Sequence, residues 1–61
     1  MDDYVVLLFN KKTQEITVLD TWLTKGEADI QVKKLRADKE PAYHCTHKEY
    51  KKITGRNPVV I

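Results

Sequence analysis

The segment Tyr4–Phe9 constrains the fold of this chain more than any other. Its residues, YVVLLF, are β-branched, aliphatic or aromatic, and such residues favour a strand whose side chains alternate between two faces. Both alternating sets are apolar, which is typical of a central strand covered above and below. We therefore expect this segment in the middle of a sheet, with other elements packed on both faces.

A second strand is predicted directly after a polar connection, Asn10–Gln14, that has the length of a hairpin loop. In the segment Glu15–Leu19, apolar Ile16 and Val18 alternate with polar residues. This alternation indicates a half-solvated strand at the edge of a sheet. The pattern breaks at Asp20, so we expect the strand to end or to form a β-bulge near this residue.

Two helix starts are marked by the same chemical device. Thr24 is followed by Glu27, and Thr46 is followed by Glu49. At this spacing the Thr hydroxyl accepts a hydrogen bond from the Glu amide, and the Glu carboxylate accepts one from the Thr amide. Both bonds satisfy donors that a helix end leaves without partners. The spacing therefore predicts one helix from Lys25 to about Asp38 and a second from His47 to about Thr54.

The residues between and after these starts complete the pattern. Apolar side chains at positions 28, 32 and 35 form a narrow stripe that can lie on the sheet. Pro41 ends the first helical region, and Ala42–Thr46 reads as a third strand. On the second helix, Tyr50 and Ile53 fall on one side, and Gly55 is a natural stop.

These elements predict a single small α+β domain over residues 1–61, in the order ββαβα. With the first strand in the centre, the three-stranded antiparallel sheet has strand order 2-1-3. One long helix packs on one face of this sheet. The short C-terminal helix and the tail Val59–Ile61 are expected to cover the other face, or the tail adds as a strand to a sheet edge.

Length and composition limit the class of protein. A domain of 61 residues buries only about 60% of the surface of its unfolded chain, so a net stability of about 3–5 kcal/mol is expected. The single Cys45 cannot form an intramolecular disulfide, which favours a reducing, cytoplasmic setting. Tyr4–Phe9, the one sustained apolar run, is too short for a secretory signal or a membrane helix.

We expect no catalytic, metal or cofactor site. The cluster His44–Cys45–Thr46–His47 contains the only His and Cys residues of the chain, and on a strand at most two of them converge, whereas structural zinc takes four ligands. With Gly26 and Gly55 as the only glycines, a glycine-rich phosphate loop is absent from the sequence. No small-molecule substrate is evident either.

The charge distribution points to an interaction surface. Residues 1–30 carry a net charge of −3 and residues 31–61 a net charge of +5, within a total of +2. Such a split favours an anionic partner or pairing with a second copy. The expected function is that of a small non-catalytic regulatory or adaptor-type protein that binds a protein partner or forms a homodimer. The candidate contact residues are Ile30, Lys33, Lys34, Tyr50, Lys51, Lys52 and Arg56.

The alternative is a weak nucleic-acid-binding protein without sequence specificity. It would use the same basic residues for phosphate contacts and Tyr50 for stacking on unpaired bases. The segment Trp22–Ala28 also resembles the entry to the helix in the DNA-binding arms of phage-type integrases, where an aromatic residue precedes T-K-x-E-A. Those arms have three strands before the helix and this chain is expected to have two, so we carry no function from the resemblance.

Overall fold

A computed structural model describes residues 2–60 of the chain. These residues form three strands and two helices. In chain order the elements are β1 (Tyr4–Asn10), β2 (Glu15–Leu23), α1 (Lys25–Ala37), β3 (Ala42–Thr46) and α2 (His47–Thr54).

Strand β1 lies in the centre of the sheet, as predicted. It pairs antiparallel with β2 on one side and with β3 on the other, so the strand order is β2-β1-β3. Tyr4, at its start, is paired with both Leu23 and Thr46, the last residues of the two outer strands. The ββαβα architecture predicted from the sequence is confirmed.

The two faces of β1 belong to two separate apolar cores. Val6 is fully buried on the face that carries α1, where it packs with Ala28 and Val32. Val5 is fully buried on the opposite face, where it packs with Val18 and Tyr50 of α2. Because successive side chains of a strand point to opposite faces, the two helices cover opposite sides of the sheet.

Both predicted capping boxes are present. The Thr24 hydroxyl accepts a hydrogen bond from the Glu27 amide at 3.2 Å, and the Glu27 carboxylate accepts one from the Thr24 amide at 3.3 Å. Thr46 and Glu49 make the same pair of bonds. The predicted stripe on α1 also holds, with position 35 half-buried rather than buried.

Strand β2 is longer than predicted. Of the two alternatives predicted near Asp20, the bulge is confirmed and the strand end is wrong, because β2 continues to Leu23 through two register shifts of one residue each. The first shift leaves Leu19 between the partners of Val6 and Leu7. Trp22, beside the second shift, has a φ of 58°. An extra residue on one strand lets the strand bend and resume pairing, so the break in alternation marks the predicted bulge without ending the strand.

The C-terminal tail covers the α2 side less than expected. Val59 is 73% exposed and Val60 is 47% exposed, and residues 57–60 form no strand. Val59 only borders a shallow depression beside Ile16 and Val18. Ile61, the last residue of the predicted tail, lies outside the described residues. Much of the second sheet face is therefore left to α2 alone.

Candidate functional site

An open groove lies on the α2 side of the sheet because α2 is too short to cover that face. The helix has eight residues, so it is about 12 Å long, whereas the seven residues of β1 span about 23 Å. It ends at Gly55, which has a φ of 75° and donates its amide to the Lys51 carbonyl. A left-handed residue at this position stops the helix.

We name this space the α2 groove. Its volume is about 400 Å³, which is within the range of about 300–1,000 Å³ found for ligand pockets. Ile53 on its helical side is 76% exposed, and Tyr43 on its strand side is 38% exposed. The apolar residues that define the groove come from every strand and from α2: Leu7, Phe9, Ile16, Tyr43, Cys45 and Ile53.

Polar groups at the groove are few. The Arg36 guanidinium carbon lies 5.3 Å from the centre of the Tyr43 ring, a distance at which a cation is attracted to the ring. Glu49 lines the groove near Cys45. Burial raises the pKa of the Cys45 thiol above its ordinary value, and the nearby Glu49 carboxylate raises it further. The thiol therefore stays protonated at neutral pH, and the groove presents it as a small apolar side chain.

The free edge of β3 borders the groove and is largely closed to an added strand. The Phe9 amide donates to the Pro41 carbonyl, and the His47 amide donates to the Asp3 carbonyl. These two hydrogen bonds identify the positions in and beside β3 whose peptide groups face β1. By the alternation of antiparallel pairing, the peptide groups of Ala42, His44 and Thr46 then point outward.

Two of these three residues already have partners. The Ala42 amide donates to the Glu40 carbonyl, and Arg36 Nε donates to the Ala42 carbonyl at 3.0 Å. The Thr46 amide donates to Glu49. Within residues 2–60, His44 is the outward residue of β3 whose peptide groups remain open. Edge strands blunted in this way resist pairing with another chain.

The structure divides the contact residues predicted from the sequence between two surfaces. The α1 group lies on one side of the sheet, where Ile30 is 56% exposed and both lysines of the group are exposed. The remaining cations lie in α2 or directly after it, on the opposite side of the sheet, and they are also exposed. Tyr50 is only 7% exposed and belongs to the core, and it also lines the α2 groove. The predicted set therefore does not form one surface. Its α1 members are Ile30, Lys33 and Lys34, and its C-terminal members are Tyr50, Lys51, Lys52 and Arg56.

Of the residues that line the α2 groove, Tyr50 alone was predicted from the sequence as a contact residue, and the others were missed. The signal that could have found them was present, because Tyr4–Phe9 is apolar on both faces and the second helix was predicted to span only about two turns. Ile53 was expected on the same side of α2 as Tyr50. The two positions differ by about 60° around the helix, and this offset carries Ile53 from the core to the border of the groove.

The histidines take part in two local pairs. His44 Nε2 lies 2.7 Å from Asp29 Oδ1 on the α1 side of the sheet. The His47 ring stacks on Trp22 with a centroid distance of 3.9 Å, and its Nδ1 is hydrogen-bonded to the Asp3 carbonyl. In the described part of the chain, no three His, Cys, Asp or Glu side chains are grouped as metal ligands.

Comparison of the chain with protein-family models, with curated proteins and with solved structures gave no match. Among residues 2–60, neither helix is long and apolar enough to cross a membrane.

Proposed function

We propose that this chain is a small non-catalytic protein that acts by docking on a protein partner through the α2 groove. One observation carries the proposal: a groove of about 400 Å³ with an apolar lining stands open beside Ile53, which is 76% exposed. A contiguous apolar surface of this kind on a soluble domain is typical of an interaction site. Docking would cover apolar surface that the short α2 leaves in contact with water.

The chemistry of the groove supports a binding role without catalysis. Cys45, the one nucleophilic thiol in its lining, has a pKa that burial and Glu49 raise, whereas catalytic thiols need a lowered pKa. His44 also lines the groove, but its Nε2 is paired with Asp29. A nucleophile, a base and an oxyanion donor are thus not assembled around one point in the described part of the chain. The free thiol of Cys45 also supports our proposal of a reducing, cytoplasmic setting.

Two isoleucines provide a matched test. Ile53 is at the groove and Ile30 is on the outer side of α1, and both are exposed helical residues. We expect wild-type protein and the variant Ile30→Glu, each immobilised, to retain the same partner from a native lysate, while Ile53→Glu loses it. The retained protein is then identified, purified and titrated against all three forms. A partner that binds Ile53→Glu as well as wild type would refute docking in the groove.

A nuclease-treated lysate separates this proposal from nucleic-acid binding. Tyr50 is buried and so is not available to stack on a base, but the exposed cations could still contact phosphates. We expect the Ile53-dependent partner to survive nuclease treatment and to bind with little loss at high salt, because apolar docking is weakly screened. Binding that disappears with nuclease or falls steeply with salt would support nucleic-acid binding instead.

A further inference from the structure

We propose that the occupant of the α2 groove is an amphipathic helix of the partner that carries apolar residues on one face and an excess of Asp and Glu beside them. This inference rests on the proposed function and names the chemistry of the partner. Three properties of the groove support it: its apolar lining, the closed backbone edge beside it, and the sign of the charges around it.

The closed edge argues against an occupant that binds as a strand. A peptide that extends the sheet needs a row of free backbone amides and carbonyls. On β3, Ala42 and Thr46 already use theirs within the chain. The opposite edge strand, β2, has two register shifts, which interrupt regular pairing. A partner must therefore bind mainly through side chains, as a helix does when its apolar residues at i, i+3, i+4 and i+7 enter a groove.

The charges around the groove argue for an acidic occupant. Arg36 lies over Tyr43 on the strand side, and α2, which forms the helical side of the groove, carries the exposed cations Lys48, Lys51 and Lys52. Glu49 is the one carboxylate in the groove lining. Complementary charges at the rim of an interface favour encounter and suppress partners of like charge.

The same charges argue against an isologous dimer of this chain formed over the groove. The segment 47–56, which contains α2, carries four cations and a single acid, Glu49. An isologous contact over the α2 groove would place two such segments against each other. Like charges brought together in this way disfavour the complex.

Selection from a displayed peptide library tests the inference. A library of random peptides of about 15 residues, long enough for about four helical turns, is selected against immobilised wild-type protein. Each enriched peptide is titrated against wild type, Ile53→Glu and Ile30→Glu. We expect enriched peptides with apolar residues at helical spacing, a net negative charge, and affinity that is lost with Ile53→Glu and retained with Ile30→Glu.

Charge reversal gives a quantitative check on the same peptides. Lys52→Glu should weaken them about fivefold at low salt, and the difference should shrink as salt is raised, because an exposed charge on α2 contributes modestly and is screened. Lys33→Glu, on the opposite side of the sheet, is the control and should change the affinity less than about twofold. Lys52→Glu without effect at low salt would overturn the acidic part of the inference.

The remaining outcomes separate this inference from the proposed function. Enriched peptides that are basic, or that alternate apolar and polar residues as strands do, would overturn the helical acidic occupant. The proposed function would still stand if a lysate partner depends on Ile53. Concentration-dependent dimerisation of wild type that Ile53→Glu abolishes would assign the groove to a second copy. Both proposals fail if neither enriched peptides nor lysate proteins depend on Ile53.

Discussion

Tyr50 and Ile53 lie three residues apart on α2, and truncating them should affect stability very differently. Tyr50 is 7% exposed and Ile53 is 76% exposed. Replacing a buried aromatic residue by alanine costs about 3–5 kcal/mol, because burial is lost and a cavity remains. A domain of this size has an unfolding free energy of about 3–5 kcal/mol. Tyr50→Ala should therefore remove most of the stability, whereas Ile53→Ala should change it by at most about 0.5 kcal/mol.

The assay is urea unfolding followed by far-UV circular dichroism. With a slope of about 1 kcal/mol per molar urea, a loss of about 3 kcal/mol lowers the midpoint by about 3 M. Tyr50→Phe keeps the ring in the α2-side core and serves as the control, with a shift below about 1 M. A midpoint for Tyr50→Ala within about 1 M of wild type would show that this core does not depend on the ring. An equal loss from Ile53→Ala would show that Ile53 is packed and that the groove is closed in solution.

Three further substitutions test the local structure. A methyl group added at Gly26 or at Gly55 would meet open space, but Gly55 has a φ of 75°. We expect Gly26→Ala to stabilise the protein by about 0.5 kcal/mol and Gly55→Ala to destabilise it by about 1 kcal/mol in thermal unfolding; the same sign for both would contradict the assigned backbone. The raised pKa of Cys45 leaves less thiolate at pH 8 than a free thiol has, so its reaction with iodoacetamide should be slower and should accelerate only at higher pH. Glu49→Gln should shift that profile toward lower pH, and an unchanged profile would show that the carboxylate does not act on the thiol.

A single charged substitution at the α2 groove can test binding without unfolding the protein. Ile53 contributes little to the core because it is 76% exposed, so Ile53→Glu should leave the fold intact while it places a carboxylate at an apolar surface. Burying an unpaired charge in a complex is costly. The same change at Ile30 introduces the same charge on the other side of the sheet. The pair therefore separates loss of binding from loss of folding.

Local signals in the sequence were sufficient for the order of the elements and for the starts of both helices. A capping box depends on two residues three positions apart, so Thr24 and Glu27 form theirs without contacts from the rest of the chain. The central place of β1 followed from its two apolar faces. The end of β2 was missed because Asp20 breaks the alternation locally. Leu23 pairs with Tyr4 at the open end of the hairpin. A pattern read from neighbouring residues contains no information about a partner so distant in the chain.

The candidate site was decided at the tertiary level. The amino-acid sequence by itself determined that two helices of unequal length would pack against a sheet with two apolar faces. It also predicted α1 and α2 on opposite faces, and the structure confirms this placement. Residues that the sequence had grouped in one contact surface, such as Lys33 and Lys52, are therefore separated by the sheet. The sequence did not determine which apolar side chains remain open to water. That depends on how far an eight-residue helix reaches across a seven-residue strand, because burial is a property of packed elements and not of any single segment.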